Sequence, residues 1–444
     1  MRYGRFARFG RPGWMLGPFL LISLSARGAN VTVGCPGGTP GMFTSISAAL
    51  ETLDVTGPNR ITVSGNCSET VIILSRDRLT IEGALGMTAS IVASDPTRPT
   101  MSIQKSRDVV LRRLIVSGGV SGLFINDNAE VTIDQCTFEN NSKTGVQASD
   151  NSNVDLDTVT IRNNGGLGLF VDDDSFAVLG EGPGAPTVLI TGNGGSGILV
   201  SASTVFMPGN TMVESNAAAG LQLIVGGRAL LIDGLTPNTF RGNRIGVDVQ
   251  SGSAAQFSGR QLIQNNSAAG VQVSRGASVV FRASAVGAAT IEGNGEVGVN
   301  VVDLGQADFS GPHKIRQNGN STSFRRAGVQ VVGNSFFGAS ANTEISGNIG
   351  PGVNAESGAQ VTISRSSINN NSEGGLRVLR MATTALLMGT VITANTDIDL
   401  FCDSTALAFG DASGAGRVNC PRIERELGPP RPGAIIDLPD PPRP

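Results

Sequence analysis

A short motif that recurs along most of the chain constrains its fold more than any other feature. The motif is an apolar residue, two variable positions and an asparagine, followed a few residues later by a glycine and alternating apolar residues. Successive motif glycines lie 23 to 30 residues apart, and they are Gly145, Gly168, Gly197, Gly220, Gly246, Gly270, Gly298, Gly328, Gly352 and Gly375. A period of this length, with no helical spacing of apolar residues inside it, predicts one unit of short strands and tight turns per repeat.

Each repeat divides into three short strands. The strand after the glycine is exemplified by residues 271–273, and the two that follow it by residues 131–133 and 159–161. Because alternate side chains of a strand point to opposite faces, each strand presents an aliphatic inward column. One repeat cannot bury this column alone, so the repeats are expected to stack and cover one another.

The asparagine and glycine columns have structural explanations. Asparagine tolerates left-handed turn geometry, and stacked side-chain amides can form hydrogen bonds from one repeat to the next. Glycine permits unusual backbone conformations or a close backbone approach. The predicted structural asparagine column comprises Asn141, Asn164, Asn193, Asn216, Asn266, Asn294, Asn348 and Asn371.

The repeat N-x-x-x-G-[VIL]-x-[VIL] resembles that of the right-handed parallel β-helix, or pectin-lyase-like, proteins of the secreted bacterial type. The resemblance covers residues 61–400. It implies an all-β, right-handed parallel β-helix solenoid of about 13 coils. The apolar spacing of Phe43, Ile46 and Leu50 predicts a short helix, which the resemblance identifies as the N-terminal cap of the first coil.

The two ends of the chain differ from the repeats. Four arginines followed by the short apolar run 15–24 predict a signal peptide over residues 1–28, and hence a secreted, cell-surface or periplasmic protein. Residues 428–444 are rich in proline, which cannot join a central strand, and they are expected to form an extended tail. Between these ends we expect an N-terminal cap (29–60), the repeats (61–400) and a C-terminal cap (401–427).

Composition excludes several classes of function. The 33 basic and 36 acidic residues give a net charge of -3, which argues against a nucleic-acid partner. A single histidine cannot supply the ligands of a histidine-rich zinc or haem centre. Beyond the predicted signal peptide, no stretch is long and apolar enough to be a transmembrane segment.

Five cysteines and one histidine are interpreted as structural. Two cysteines flank each predicted cap, and we expect the disulfides Cys35–Cys67 and Cys402–Cys420, one at each end of the solenoid. Cys136 falls in a column of small or apolar residues and is expected to be buried. His313 shares that column and is expected to be packed and hydrogen-bonded.

The candidate catalytic residues are three aspartates. Asp155 and Asp157 alternate with Leu156 and point outward, and Asp134 occupies the same place as Asp157 one coil earlier. Carboxylates on adjacent coils, about 5 Å apart, would suit glycoside hydrolysis or a cation site. Arg112 occupies the equivalent place one coil earlier still, so a surface ladder of charges explains the same pattern without catalysis.

The sequence offers one candidate site for a metal ion, and it has two interpretations. Residues 172–174 are three consecutive aspartates that could bind Ca²⁺ or form a solvated turn. No resident cofactor is expected, although Ca²⁺ would serve an enzyme of this type by neutralising a uronate. The Gly-His-Gly of polygalacturonases, which also resemble this fold, is absent, so their mechanism is not carried over.

The outward column of the strand after the glycine is rich in amides. It contains the candidate ligand-binding residues Gln222, Asp248, Gln272, Asn300, Gln330 and Asn354. Amides both donate and accept hydrogen bonds, so a regular row of them could match the hydroxyl groups of a polysaccharide. The same row could instead stabilise an exposed sheet as an amide ladder.

Three functions remain open. The first is a non-catalytic extracellular scaffold that binds a glycan or a surface protein along its long face. The second is a polysaccharide lyase or glycoside hydrolase of the pectin-lyase-like type. The third is a passive structural repeat protein. No converging set of acidic and basic residues emerges from the sequence, and this favours the first function.

Overall fold

The three strands of each repeat stack on those of the next repeat and form three parallel sheets, which we call face 1, face 2 and face 3. A computed structural model describes residues 28–180, 188–234, 236–322 and 325–424. These residues form a right-handed β-solenoid of about 14 turns, which confirms the predicted fold class. Residues 1–27 of the predicted signal peptide and the whole proline-rich tail lie outside the described residues.

Face 1 is formed by the strands that follow the motif glycines and their counterparts in the end coils. They are Val71–Leu74, Met101–Gln104, Ser121–Asn126, Thr144–Ala148, Leu169–Val171, Ile198–Ser201, Ala219–Ile224, Ile245–Val249, Ala269–Val273, Val297–Val301, Ala327–Val332, Val353–Glu356, Leu376–Leu379, Leu400–Cys402 and Val418–Asn419.

Face 2 follows face 1 in each coil. Its strands are Asn30–Gly34, Thr56–Ser68, Asp77–Gly83, Arg107–Arg112, Glu130–Asp134, Asn153–Asp157, Phe176–Leu179, Thr204–Met207, Arg228–Leu231, Ala254–Ser258, Ser278–Arg282, Gln306–Ser310, Phe336–Ser340, Gln360–Ile363, Thr383–Leu386, Leu407–Gly410 and Ile423–Glu424.

Face 3 completes each coil. Its strands are Ala89–Val92, Ile115–Ser117, Thr137–Glu139, Thr160–Arg162, Val188–Thr191, Thr211–Glu214, Asn238–Arg241, Gln261–Gln264, Thr290–Glu292, Lys314–Arg316, Glu344–Ser346, Ser367–Asn369 and Val391–Thr393. The long strand Thr56–Ser68 belongs to both faces, because its end pairs with Ala89–Val92 after its first part has paired on face 2.

The inward side chains of the three faces form one continuous core. The predicted aliphatic column of face 1, which includes Val146, Leu169 and Ile198, is fully buried. On face 2 the rings of Phe257, Phe281 and Phe309 stack in series, with centroids 4.3 and 4.4 Å apart. Like residues stack on like residues because strand pairing repeats the same inward position in every coil.

A buried ladder of asparagine amides links the coils at the corner between face 3 and face 1. The Nδ2 of Asn141 donates to Oδ1 of Asn164 at 2.9 Å, and Asn164 donates in the same way to Asn193. Each Oδ1 also accepts the backbone N–H of the preceding ladder residue, as Asn164 Oδ1 does from Asn141 at 3.1 Å. The series continues through Asn216, Asn243, Asn266, Asn294, Asn318, Asn348, Asn371 and Asn395.

The glycine four residues after a ladder asparagine allows this packing. A Cβ atom at Gly145 would lie 2.3 Å from Cγ2 of Ile161 and 2.8 Å from Nδ2 of Asn164. Both contacts are shorter than side chains tolerate, so a larger residue would displace the next rung of the ladder. The glycine column therefore serves close approach, one of the two roles expected of it.

The ladder ends in a carboxylate. Asp399 lies four residues after Asn395, where the earlier coils have glycine, and its Oδ1 accepts Nδ2 of Asn395 at 2.8 Å. Its Oδ2 accepts the backbone N–H of Arg417 at 2.8 Å. Burial alone would raise the pKa of Asp399, but these donors outweigh burial and hold the pKa below its ordinary value.

Both predicted disulfides are present. Cys35–Cys67 and Cys402–Cys420 join residues whose Cα atoms are 5.1 and 4.4 Å apart. The parallel pairing also extends past residue 400, because Val418–Asn419 and Ile423–Glu424 continue faces 1 and 2. This pairing places part of the expected C-terminal cap in the solenoid itself.

The helix spans Ile46–Thr52 and buries Ile46, Ala49 and Leu50. It begins later than predicted, because the side chain of Ser45 caps it by accepting the N–H of Ala48 at 3.1 Å. Phe43 therefore lies outside the helix, where it forms a parallel bridge with Val33. Within the described residues, no helix is long and apolar enough to cross a membrane.

The ladder predicts that substitutions at two adjacent asparagines, Asn266 and Asn265, differ greatly in their effect on the free energy of unfolding. Asn266→Ala removes the acceptor of the Asn243 N–H and the donor to the Phe240 carbonyl. Because unsatisfied buried groups cost about 1–3 kcal/mol each, the loss of these two contacts should lower the free energy of unfolding by about 2–6 kcal/mol. Denaturant unfolding measures this loss. The control is Asn265→Gly, since Asn265 is exposed with a φ of 54° that glycine adopts freely. Equal losses in the two variants would contradict the ladder's role.

The terminal carboxylate predicts a pH-dependent effect at the end of the solenoid. A depressed pKa adds stability above the ordinary aspartate value, and that stability is lost as the pH falls through the folded-state value. Asp399→Asn should therefore speed amide hydrogen exchange in Leu400–Cys402 at neutral pH, and the difference from wild type should shrink in acid. The exposed neighbour Asp397 gives the control, Asp397→Asn. An exchange difference that does not change with pH would exclude a role for the charge.

Candidate functional site

The six candidate ligand-binding residues of face 1 lie in one row. Strand pairing places Gln222 opposite Asp248, Asp248 opposite Gln272, and Gln272 opposite Asn300. Gln330 and Asn354 continue the same register. We call these six residues the amide row, and its members repeat at the strand spacing of ~4.8 Å.

Asp248 is a buried member of the amide row, and it holds the neighbouring amides by hydrogen bonds. Its carboxylate accepts hydrogen bonds from the side-chain amides of Gln222 at 3.4 Å and Gln272 at 3.2 Å, and from that of Gln250, which follows the strand of Asp248. Asp248 is only 4% exposed, so it positions the neighbouring amides and does not itself face solvent. Burial raises the pKa of Asp248, although its hydrogen bonds to Gln250 and Gln272 oppose that shift.

The other five members of the row are half-buried, and hydrogen bonds hold the amide groups of four of them. Asn300 Nδ2 donates to Gln272 Oε1 at 3.4 Å, and Asn354 Nδ2 donates to Glu356 Oε1 at 2.6 Å. The hydroxyl of Ser196 donates to Gln222 Oε1 at 2.8 Å. Hydrogen bonds therefore orient the amides of Gln222, Gln272, Asn300 and Asn354, while part of each side chain stays open to solvent.

Aromatic rings lie on the same outward column, beyond both ends of the amide row. Gln147 is paired with Phe124 on one neighbouring strand and with Phe170 on the other. At the other end of the row, Phe401 is paired with Arg377. All three rings are half-buried. Phe124 and Phe401 are hard to place in this column from the sequence, because their coils lack a clear asparagine–glycine motif.

The three candidate catalytic aspartates lie on face 2. Asp134 and Asp157 pair directly on adjacent strands, as expected, and Asp155 is paired with Thr132. Arg112 Nε donates to Asp134 Oδ2 at 2.8 Å, so the charge ladder considered from the sequence is present at its first step. The structure therefore places Asp134 beside Asp157, and Asp134 also forms an ion pair with the guanidinium group of Arg112.

Similar ion pairs occur between adjacent coils on face 3. Arg162 binds Glu139 at 2.7 Å, Arg241 binds Glu214 at 2.6 Å, and Arg316 binds Glu292 at 2.8 Å. Each pair joins residues that occupy the same position on neighbouring strands. Pairing of unlike charges between coils is thus a general feature of the outer surface and does not mark a catalytic centre.

The aspartates at 172–174 lie in a turn after face 1. The Ser149 hydroxyl donates to Asp172, and burial raises the pKa of Asp172 against the effect of that hydrogen bond. Asp173 and Asp174 both have positive φ angles, of 51° and 58°, which is typical of a tight turn. Ca²⁺ binding at these oxygens stays a prediction.

His313 and Cys136 are buried structural residues. His313 packs edge-on against the Phe281 and Phe309 rings, and its Nδ1 accepts the N–H of Ala289 at 3.1 Å. Burial lowers the pKa of His313, so the neutral ring is favoured. Burial also raises the pKa of the Cys136 thiol to about 12, which leaves it unreactive as a thiolate.

Comparison with known proteins gives the family of the repeats. A family model described as "Right handed beta helix region" matches residues 58–234 and 233–380. A search of curated protein sequences finds no match.

Solved structures with a similar outline are distant in sequence. The mannuronan C-5 epimerase AlgE6 A-module of Azotobacter vinelandii is 14% identical, with a TM-score of 0.44 over 87% of this chain and 94% of that one. The AlgE4 A-module of the same organism is 13% identical, with a TM-score of 0.38 over 86% and 92% of the two chains. A pectate lyase is 12% identical, with a TM-score of 0.22 over 90% and 79%. No activity is transferred from these chains.

The burial of Asp248 predicts a pH-dependent difference in stability. A carboxyl group whose folded-state pKa is raised binds more protons in the folded state, so its contribution to stability falls as pH rises above the ordinary aspartate value. Asp248→Asn should therefore gain unfolding free energy relative to wild type between acidic and neutral pH. Denaturant unfolding at several pH values measures this trend, with the exposed Asp303→Asn as control. If the variant instead lost unfolding free energy relative to wild type as the pH rose, the hydrogen bonds from the amides would have a larger effect on the pKa of Asp248 than its burial.

Proposed function

This chain belongs to the right-handed β-helix family, and we propose that it is a secreted scaffold that binds a glycan along face 1 without cleaving it. The observation that carries the proposal is the amide row, whose six members lie in unbroken register on consecutive coils. The two disulfides support a secreted location, because such bonds persist in oxidising compartments.

The amide row has the chemistry that recognises a polyhydroxylated chain. Each glutamine or asparagine side chain offers both a donor and an acceptor, as a sugar hydroxyl does. The row repeats at ~4.8 Å, a spacing comparable to one sugar unit of an extended polysaccharide. Because Asp248 already fixes the Gln222 and Gln272 amides, little side-chain entropy is lost when a ligand binds them.

The aromatic rings supply the apolar part of such a surface. Phe124 and Phe170 lie two coils apart on the continuation of the row, with Gln147 between them. Phenylalanine rings can pack against the apolar faces of sugar rings and exclude water from the neighbouring hydrogen bonds. A glycan that extends over both segments would contact rings at one end and amides along the rest.

Catalysis receives less support from the same surfaces. Asp134 is engaged by Arg112, and Asp248 is buried beneath its amide partners. The alternative function, a polysaccharide lyase or glycoside hydrolase, rests on the adjacent pair Asp134 and Asp157, with Asp155 beside it and Ca²⁺ as the expected ion. A surface protein is the alternative partner if no glycan binds.

Binding and cleavage are measured together to test this proposal. The purified chain is incubated with acidic and neutral polysaccharides, with and without Ca²⁺, and retained glycan, reducing ends and unsaturated products are recorded. We expect retention of at least one glycan without cleavage. The double variant Gln272→Ala/Gln330→Ala should weaken retention about tenfold, as expected for the loss of one or two hydrogen bonds.

Gln264→Ala is the matched control, because Gln264 is a similarly half-buried outward amide, on face 3. Equal weakening by the control and the double variant would move the binding surface away from face 1. Cleavage of any polysaccharide would replace the scaffold by an enzyme, and Asp134→Asn and Asp157→Asn would then identify its carboxylates.

A further inference from the structure

A pocket lined by three arginines lies on face 2, near the N-terminal end of the solenoid. Its volume is about 390 Å³, and its lining residues include Arg60, Arg112, Arg113, Glu82 and Leu85. Strand pairing places Glu82 between Thr62 and Arg112 on adjacent coils, and Arg60 lies two positions before Thr62. The pocket is therefore assembled from three consecutive coils, on a different face from the amide row.

Two carboxylates hold the three guanidinium groups in place. Glu82 Oε1 accepts Arg60 Nη1 at 2.6 Å, and Glu82 Oε2 accepts Arg113 Nη2 at 2.9 Å. Arg113 Nε also donates to the carbonyl of Gly83 at 3.1 Å. Arg112 Nε donates to Asp134 Oδ2 at 2.8 Å. The arginines are thus preorganised, which reduces the entropy that a ligand must overcome.

The arginines keep donors available after these contacts. A guanidinium group has five N–H donors, and the named contacts use one from Arg60 and one from Arg112. The side chains of Arg60 and Arg112 are 49% and 38% exposed. By contrast, Glu82 is almost fully buried at 9%, so it orients the arginines without presenting its charge to solvent.

The local charge favours an anion. Three guanidinium groups face two carboxylates, Glu82 and Asp134, which leaves one positive charge at the pocket. Asp157 lies two coils from Arg112, or ~10 Å, about one Debye length at moderate salt. Arginine forks bind carboxylates and sulfates through paired, charge-assisted hydrogen bonds.

We infer that this pocket binds the oxyanion of an acidic saccharide, a uronate carboxylate or a sugar sulfate. Its volume falls within the ~300–1,000 Å³ range of small-molecule sites and exceeds the needs of a free anion. The hydroxyl of Thr62 and the exposed side chain of Leu85 line the remainder and suit a sugar ring. The inference is independent of the proposed use of face 1, since the two surfaces share no residue.

Calorimetric titration of the full chain tests the inference with four probes. They are an oligogalacturonate, a sulfated oligosaccharide, a neutral oligosaccharide of the same length, and inorganic sulfate. We expect at least one acidic saccharide to bind more tightly than the neutral one, with an affinity that falls as salt is added. Arg112→Gln and Arg60→Gln should each weaken that binding about tenfold, and Arg112→Lys should weaken it less.

Arg162→Gln is the matched control, because Arg162 is as exposed as Arg60 and binds Glu139 at 2.7 Å on face 3. Thermal unfolding of each variant separates lost binding from lost folding. The inference is overturned if no acidic saccharide binds better than the neutral one, or if Arg162→Gln weakens binding as much as Arg112→Gln. Inorganic sulfate that binds as tightly as the saccharides would overturn the assignment to a sugar. Face 1 is judged separately, since Gln272→Ala/Gln330→Ala should leave binding at the arginine pocket unchanged.

Discussion

The asparagine ladder is the interaction on which the rest of this solenoid depends. Each buried amide must meet the next within hydrogen-bond distance, so every coil must turn the same corner in the same way. The residue before each ladder asparagine has a positive φ, such as 54° at Asn140 and 66° at Gly192. The motif glycine that follows keeps the space clear, and it lies four residues later except at Gly246, three residues after Asn243, and Gly328, ten residues after Asn318. Coil length can vary, because even the longer segment between Asn318 and Gly328 leaves the amide series intact.

A series of amides that all point the same way must be satisfied at both ends. At the first end, Oδ1 of Asn141 accepts the backbone N–H of Gly119, so no additional asparagine is needed. At the last end, the donor of Asn395 meets the carboxylate of Asp399, whose side chain occupies the space of the missing next rung. That substitution is possible only in the final coil, because there is no further asparagine with which a side chain at the glycine position would collide. The aspartate at the glycine position therefore accepts the last amide donor and ends the ladder.

The parts that could be predicted from the sequence are those set by short-range periodicity. The three-strand coil and the asparagine column follow from spacing within one or two repeats, and the disulfides follow from the two cysteines that flank each predicted cap. The position of Asp399 as a cap was missed, since the repeat is degenerate there and the residue looks like an ordinary loop acid. The burial of Asp248 was also missed, because its partners are Gln250, just after its own strand, and glutamines from both neighbouring coils. The arginine pocket requires the register of three coils of unequal length, which sequence alone leaves open.

Stacking at ~4.8 Å imposes a rule on outward side chains, since like charges on adjacent coils repel one another. Several outward positions on face 3 follow it through pairs of unlike charge, as Arg162 with Glu139 and Arg241 with Glu214 do. The amide row contains a single carboxylate, Asp248, between the uncharged side chains of Gln222 and Gln272, so no like charges meet along it. The arginine pocket departs from one-to-one pairing, because Glu82 holds two arginines at once. Three arginines share two carboxylates at this pocket, and an anionic ligand would neutralise the remaining positive charge.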